Sequence, residues 1–371
     1  MPLFVGLMSG TSLDGVDAAL VEIDDDPQRI PRLVDALCLP LGADLRAALL
    51  ELTQASQVGF AALGAAESGF CDQQARAVKA LLQRHDLKPG DISAIGSHGQ
   101  TIEHAPDAIP PFTCQLDNPS RLAELTGCRV VGDFRRRDMA AGGQAAPLAP
   151  IFHQALFADD ERTRLVLNLG GIANLTRLAP RNAPRPVLGF DTGPANLLID
   201  AWHSRHRNGP VDENGSWAAS GRVDGALLER LLDDPYFAAP PPKSTGRERF
   251  HLDWVASRLT GREAAADVQA TLAELTAASV ARAAAPFIDA GNTDLIVCGG
   301  GARNAYLMQR LATRLPGVSM LACEDFGWSA DWLEAGAFAW LAWRRLRGLP
   351  GNLPEVTGAR GPRVLGGVYA P

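Results

Sequence analysis

PLFVGLM (2–8), SGTSLDG (9–15) and VDAALVEID (16–24) read as a strand, a tight glycine turn and a second strand. In the second run Val16, Ala18, Leu20 and Glu22 share one face, and Asp17, Ala19 and Val21 share the other, the period-two pattern of a strand. The same kind of sequence returns later. TRLVLNLGG (163–171), IANLTRL (172–178) and PVLGFDTG (186–193) form three β-type runs, and TDLIVCGGGARN (293–304) is strand, glycine turn and helix start. No residue-level repeat links the two halves, so a duplication is an expectation about architecture only.

Helical patterns fill the intervals. Leu45, Leu49 and Leu52 follow Asp44, which reads as an N-cap, and a longer helix runs from about Phe60 to His85. ISAIGSHGQT (92–101) is a buried strand ending in a polar turn, NPSRLAELTG (118–127) a short helix, and CRVVGDF (128–134) another strand. PANLLIDAWHSRH (194–206) opens a helix beside Pro194, Asp267 reads as the cap of a long helix, and the last helix covers roughly Ser329 to Arg347. The proline-rich PYFAAPPPKSTGRERF (235–250) reads as a loop. Strands interleaved with helices predict an α/β fold with its ligand site in a crevice at strand ends.

A length of 371 residues suggests two domains. The glycine- and proline-rich GGQAAPLAP (142–150) marks the break, giving domains 1–150 and 151–334, with the C-terminal part from about 335–371 rejoining the first. Hydrophobic residues at 46% and charged residues at 21% are ordinary for a globular protein. The net charge of −7 argues against a surface built to neutralise nucleic-acid phosphates. Without an apolar run of bilayer length or a basic leader at MPLFVGLMSG, the expectation is a cytoplasmic protein with no membrane partner. Its six scattered cysteines contain no C-x-x-C pair, so neither a zinc site nor a disulfide framework is expected.

Five constellations carry chemistry. In Gly10-Thr11-Ser12-Leu13-Asp14-Gly15-Val16-Asp17, glycines that permit φ > 0 would let backbone N–H groups converge on an anion. Asp14 and Asp17 offer hard oxygen ligands to magnesium through water. The bland alternative is a hairpin turn. Asn168, Gly170 and Gly171 form a second glycine turn, and Gly299, Gly300 and Gly301 a third. One such turn is worthless evidence, but three at strand ends favour a nucleotide. Asp191, at the end of an apolar strand, is either a general base or, with Thr192, a cap for the following helix. His98 sits in a polar strand-end turn where sites concentrate, although a lone histidine is more often structural. The arginine run at Arg135 and Arg136 either binds an anionic group or is a solvated face. Glu334, among the apolar residues of the last helix, faces either a pocket or the surface, which periodicity does not decide.

Together these motifs resemble the anhydro-N-acetylmuramic acid kinase family. GLMSGTSLDGVDAAL, GSHGQTI, GDFRRRDMAAGGQAAPL, NLGGIANLT, GFDTGPANLLID, DVQATLAELTA, CGGGARN and WLEAGAFAWLA carry the resemblance, in the family's order. Ala195 stands where a glycine is expected. The resemblance implies the actin/hexokinase-like ATPase fold, two ribonuclease-H-like domains with ATP in the cleft between them. Gly10 to Asp17 would be the first phosphate loop, Asn168 to Gly171 the second, and Gly299 to Gly301 would lie near the adenosine. It further implies that 1,6-anhydro-N-acetylmuramic acid is opened and phosphorylated to N-acetylmuramic acid 6-phosphate in cell-wall recycling. Asp191 would be the base on the attacking water. His98, Arg136 and Glu334 would meet the sugar, with Arg135 a near alternative. The expected cofactors are ATP and Mg²⁺, with Asp14 reaching the metal through water, and the expected partners are small molecules, with a homodimer compatible. Two rivals stay open: a same-fold kinase for another small sugar or carboxylate, and a non-metabolic ATPase module.

Overall fold

The computed structural model describes residues 1–10, 12–26, 29–241, 243–289 and 291–371. In chain order the strands are β1 (Leu3–Ser9), β2 (Gly15–Glu22), β3 (Arg32–Pro40), β4 (Ile92–Ala105), β5 (Phe112–Leu116), β6 (Val130–Gly132), β7 (Thr163–Leu169), β8 (Ile172–Leu178), β9 (Leu188–Pro194), β10 (Thr293–Cys298), β11 (Ser319–Ala322) and β12 (Gly367–Tyr369). The chain divides into two compact units, residues 1–156 with 327–371, and residues 157–326.

The first unit is built on a sheet of order β12-β6-β4-β1-β2-β3, with β5 added to the far part of β4. β1, β2 and β3 form an antiparallel meander, while β4 runs parallel to β1 and β6 parallel to β4. β2 is buried on both faces, apart from the half-exposed Asp17 and Glu22, as expected for an inner strand covered on both sides. One cover is the helix Leu333–Leu346, whose backbone lies directly on the sheet. A Cβ at Gly6 would fall 1.8 Å from the Ala335 carbonyl, and one at Gly96 would fall 2.0 Å from that of Phe338. Only glycine permits that approach. Glu334 therefore belongs to the first unit. The C-terminal segment is also tied to this unit through the fully buried Asp138 carboxylate, which accepts from Ala145 N–H at 2.8 Å, Asn352 Nδ2 at 2.6 Å and the Thr357 hydroxyl at 2.8 Å.

The second unit has the order β11-β10-β7-β8-β9. β7, β8 and β9 again form an antiparallel meander, and β10 and β11 again follow in parallel on the other side of the first strand. Strand order and sense therefore match β3-β2-β1-β4-β6 of the first unit, the ribonuclease-H-like arrangement, without any sequence repeat to announce it. The helix Ala265–Ala284 is buried almost all round in this unit's core, and its Thr276 hydroxyl donates to the Pro194 carbonyl at the end of β9 at 3.0 Å.

Two expected caps differ from what forms. The helix Ala43–Gln54 starts at Gly42, with Asp44 inside its first turn. The helix Ala265–Ala284 starts at Ala264, and Asp267 instead accepts the Arg222 N–H at 2.7 Å. All six cysteines are free, and no helix among the described residues is long and apolar enough to cross a membrane.

Candidate active site

In the first unit the β1–β2 hairpin is held at its neck by the Ser9 hydroxyl, which donates to the Gly15 carbonyl at 2.9 Å. Arg46 Nε supports the tip by donating to the Leu13 carbonyl at 3.1 Å. The sequence pointed to glycine for the unusual backbone here, but the left-handed residue is Leu13, with φ 56°. Gly10 and Gly15 have no such φ, and they serve differently. A Cβ on Gly15 would strike Cys38 Sγ at 2.5 Å, whereas one on Gly10 would meet only Ser12 Oγ at 3.7 Å. Gly15 is therefore a packing requirement, and Gly10 leaves bare backbone facing open space. Ser12 and Asp14 are exposed and Val16 is buried, while Thr11 lies outside the described residues. Asp17 is half-buried, and its carboxyl is pushed up by burial, partly offset by a hydrogen bond from the Cys38 side chain, and raised again by Asp331 and Asp14. Burial and the neighbouring carboxylates push the Cys38 thiol up to about 12, so it stays a thiol.

On the same unit, Arg135 joins two of the other candidates. Its Nε–H donates to His98 Nε2 at 2.9 Å and its NH1 to the Ala145 carbonyl at 2.6 Å, while Glu334 is an electrostatic partner. Burial pulls the Arg135 guanidinium down to about 10, opposed by Glu334 and Asp138. His98 is buried, and its Nδ1 lies 2.8 Å from the Gly99 carbonyl. Since arginine only donates, His98 Nε2 is an acceptor and its proton sits on Nδ1. Burial, then the Arg135 charge, holds its pKa well below the usual value, so the ring is neutral. With both ring nitrogens engaged, His98 sits beneath Arg135 and supports it. Arg136 is exposed, and its ion-pair partner is Asp133 at 3.8 Å. Of the two neighbours, Arg135 is thus the one joined to His98, and Arg136, the sequence's first choice, faces solvent. Glu334 lies in the first turn of its helix and is accessible to solvent. Surrounding protein raises its carboxyl, Arg135 opposes that rise, and Asp17 adds to it.

In the second unit the two glycine turns interlock. The Ala195 and Leu197 N–H groups both donate to the Gly171 carbonyl, at 2.9 and 3.1 Å, and that of Asn196 donates to Gly170 at 3.1 Å. Gly299 has φ 80°, and a Cβ there would fall 2.3 Å from Asn168 Oδ1; one on Gly301 would fall 2.7 Å from Leu169 Cβ. By contrast, a Cβ on Gly170, Gly171 or Gly300 would meet nothing closer than 3.5 Å. These three, with Gly10, leave backbone open to a flat or anionic ligand, as a nucleotide requires. For a metal, no cluster of three His, Cys, Asp or Glu occurs among the described residues. A magnesium ion held largely by water and phosphate oxygens needs only one or two carboxylates, and the crowding of Asp14 and Asp331 on Asp17 is what a cation relieves.

Asp191 lies inside β9, and the following helix Asn196–His206 is preceded by Ala195 with no side-chain cap. The capping alternative is therefore excluded. The half-buried carboxylate accepts the Thr245 N–H on Oδ2 at 3.0 Å, while Oδ1 has no hydrogen-bond partner among the described residues. Burial is the main cause pushing its carboxyl up to about 6; the Thr245 bond lowers it, Glu248 raises it and Lys243 lowers it. Thr245 and Lys243 come from the proline-rich stretch 235–250 expected to be a loop, and Tyr236 from a short helix, Pro235–Ala238, that forms at its start because Asp234 caps it. The polar run KSTGRE inside that stretch was the available signal.

The family model for anhydro-N-acetylmuramic acid kinase matches residues 2–371. An anhydro-N-acetylmuramic acid kinase of Chromohalobacter salexigens is 63% identical over 373 residues, covering 100% of both chains. One of Xanthomonas axonopodis pv. citri is 52% identical, covering 99% of this chain and 98% of its own. Among solved structures, an activator of the 2-hydroxyisocaproyl-CoA dehydratase from Clostridium difficile, with bound ADPNP, aligns at a TM-score of 0.47 and 12% identity, over 93% of this chain and 96% of its own. The class is thus a phosphotransferase that uses ATP. The chain belongs to the anhydro-N-acetylmuramic acid kinase family.

Proposed function

We propose that this chain opens 1,6-anhydro-N-acetylmuramic acid with water and phosphorylates O6 from ATP, giving N-acetylmuramic acid 6-phosphate and ADP, within cell-wall recycling in the cytoplasm. The observation that carries the reading is Asp191, a carboxylate with one tethered and one free oxygen whose pKa of about 6 suits a general base near neutral pH. Asp191 accepts a proton from water as that water's oxygen bonds to the anomeric carbon. The bond from C1 to the bridging oxygen breaks, and the bridging oxygen, left on C6, attacks the γ-phosphorus as ADP departs.

The bridging oxygen is a poor nucleophile until its bond to C1 weakens, so one base serves both events. Phosphoryl transfer itself asks for positioning and charge neutralisation. The open backbone at Gly10, Gly170 and Gly171 supports binding of the phosphates, with Ser12, Leu13, Gly15 and Val16 shaping the first turn and Asn168 the second. Gly299, Gly300 and Gly301 lie toward the nucleoside. Asp14 and Asp17 would hold Mg²⁺ through water, and the ion would supply counter-charge to the phosphates. Arg135 and Glu334 contact the sugar, and His98 fixes Arg135 from below. ATP consumption measured with the anhydro-sugar, with an ordinary hexose and with neither tests the substrate. Turnover only with the anhydro-sugar supports the reading; equal turnover with hexose or with no acceptor contradicts it.

A further inference from the structure

The stretch from Tyr236 to Thr245 holds Asp191 at three points, and none of them is the catalytic event itself. The Tyr236 hydroxyl donates to the Asp191 carbonyl at 2.7 Å. The Asp191 N–H donates to the Lys243 carbonyl at 3.0 Å. The Thr245 N–H donates to Oδ2 at 3.0 Å. The clamp is itself braced. Lys243 Nζ donates to the Tyr236 carbonyl at 3.0 Å and lies 4.5 Å from the centre of its ring. Asp234 accepts the Tyr236 N–H at 3.0 Å, Trp254 Nε1 at 2.9 Å and both Arg249 and Arg258, which fixes the start of the segment. Tyr236 is buried, edge-on to Phe237 and Phe250, so its hydroxyl points from a rigid base.

We propose that Tyr236 is a positioning residue for Asp191, and that the Thr245 N–H makes Oδ1 the proton-accepting oxygen by occupying Oδ2. The inference rests on the reading of Asp191 as the base. A carboxylate bound at only one point rotates about its side-chain torsions. With its backbone fixed on both sides and one oxygen engaged, Asp191 presents a single lone-pair direction, the placement that proton transfer needs. The charged and titratable groups facing Asp191 are Lys243, Glu248 and Tyr236.

The test is a double-mutant cycle of Tyr236→Phe and Asp191→Asn, read by single-turnover kinetics so that slow variants remain measurable, with Lys243→Met as a separate probe. Tyr236→Phe keeps the ring and removes the hydroxyl. The expected result is a kcat lower by about 10-fold, with KM for ATP and for the anhydro-sugar within about twofold, because a buried carbonyl is left without its donor. In the Asp191→Asn background the same change should cost less than about twofold, the non-additivity of two residues acting as one unit. Lys243→Met should move the acid limb of kcat to higher pH, since the ammonium lowers the Asp191 carboxyl. An unchanged kcat in Tyr236→Phe, whatever its Tm, or an equal loss in both backgrounds, overturns the proposal while leaving Asp191 as the base. An unmoved limb in Lys243→Met overturns it also if Tyr236→Phe fails to fold. Full turnover by Asp191→Asn is the separate result that removes the base itself and the inference with it.

Discussion

Arg135 Nε–H donates to His98 Nε2 at 2.9 Å, and this fixes both the tautomer of the histidine and the plane of the guanidinium. Two residues that sequence reading offered as parallel substrate contacts therefore stand in series, one supporting the other. The two neighbouring arginines are therefore expected to differ in their effect on turnover. Arg135→Ala should lower kcat/KM for the anhydro-sugar by about 10- to 150-fold, the range of a hydrogen bond to a charged group. Arg136→Ala, whose ion-pair partner is the exposed Asp133, should change it less than about twofold. Steady-state kinetics on the pair checks this, and the reverse ranking contradicts it.

Glu334→Ala separates sugar recognition from nucleotide binding. If the solvent-facing carboxylate beside Arg135 accepts from the sugar, kcat/KM for the anhydro-sugar should fall by about 10- to 150-fold while ATP affinity measured by calorimetry is unaltered. A change under about twofold would make Glu334 a plain surface residue.

The glycine turns separate into two kinds. Gly299→Ala places a Cβ at 2.3 Å from Asn168 Oδ1 on a residue with φ 80°. It should lower Tm, with a stability loss on the order of 1–3 kcal/mol. Gly10→Val meets only Ser12 Oγ at 3.7 Å. It should leave Tm near the parent value and weaken ATP binding, because the new side chain occupies the space in front of the backbone. Thermal melts with calorimetric ATP titration distinguish the pair, and unaltered ATP affinity in Gly10→Val would make that turn a hairpin connection only.

Asp191→Asn should lower turnover by about 10²- to 10⁴-fold with ATP affinity little changed. Its stability effect has a defined sign. The folded-state pKa of about 6 lies above the ordinary carboxyl value of 3.8, so the folded protein holds this proton more tightly than the unfolded chain does. The protonated form's stabilising contribution is complete below pH about 4 and is lost as pH rises through about 6. The charged carboxylate thus costs stability above that range. Asp191→Asn should be more stable than the parent at pH 8, by on the order of 1 kcal/mol after allowance for partial exposure, and no more stable at pH 4. Denaturant melts at the two pH values check this. The kcat of the parent should fall below pH about 6.

Much of this was legible in the sequence because it rests on local pattern. The first two strands of the opening meander show in their alternation and their S-G and D-G turn, whereas its third strand, Arg32–Pro40, was not read from the sequence; the second meander shows in three apolar runs cut by Gly, Asn and Pro. Asp191 was legible as a carboxylate on an apolar strand, although the sequence placed it at the strand's end and only the Ala195 start of the next helix removes the cap reading. What stayed hidden depends on contacts distant in sequence. The 37-residue gap between His98 and Arg135 conceals their hydrogen bond. Nothing local marks Leu13 as the residue that takes the left-handed backbone in place of a glycine. The clamp on Asp191 comes from residues 45 to 54 positions away, inside a proline-rich stretch whose composition says only that regular structure is absent.

The central claim is that Asp191 delivers water to the anomeric carbon while the bridging oxygen remains on C6 and takes the phosphoryl group. Mass spectrometry of the sugar phosphate made in heavy-oxygen water, with fragmentation to separate C1 from C6, tests it most directly. The account predicts one label at C1 and none in the oxygen joining C6 to phosphorus. Label in the ester oxygen, or none at C1 in product quenched before anomeric exchange, contradicts it.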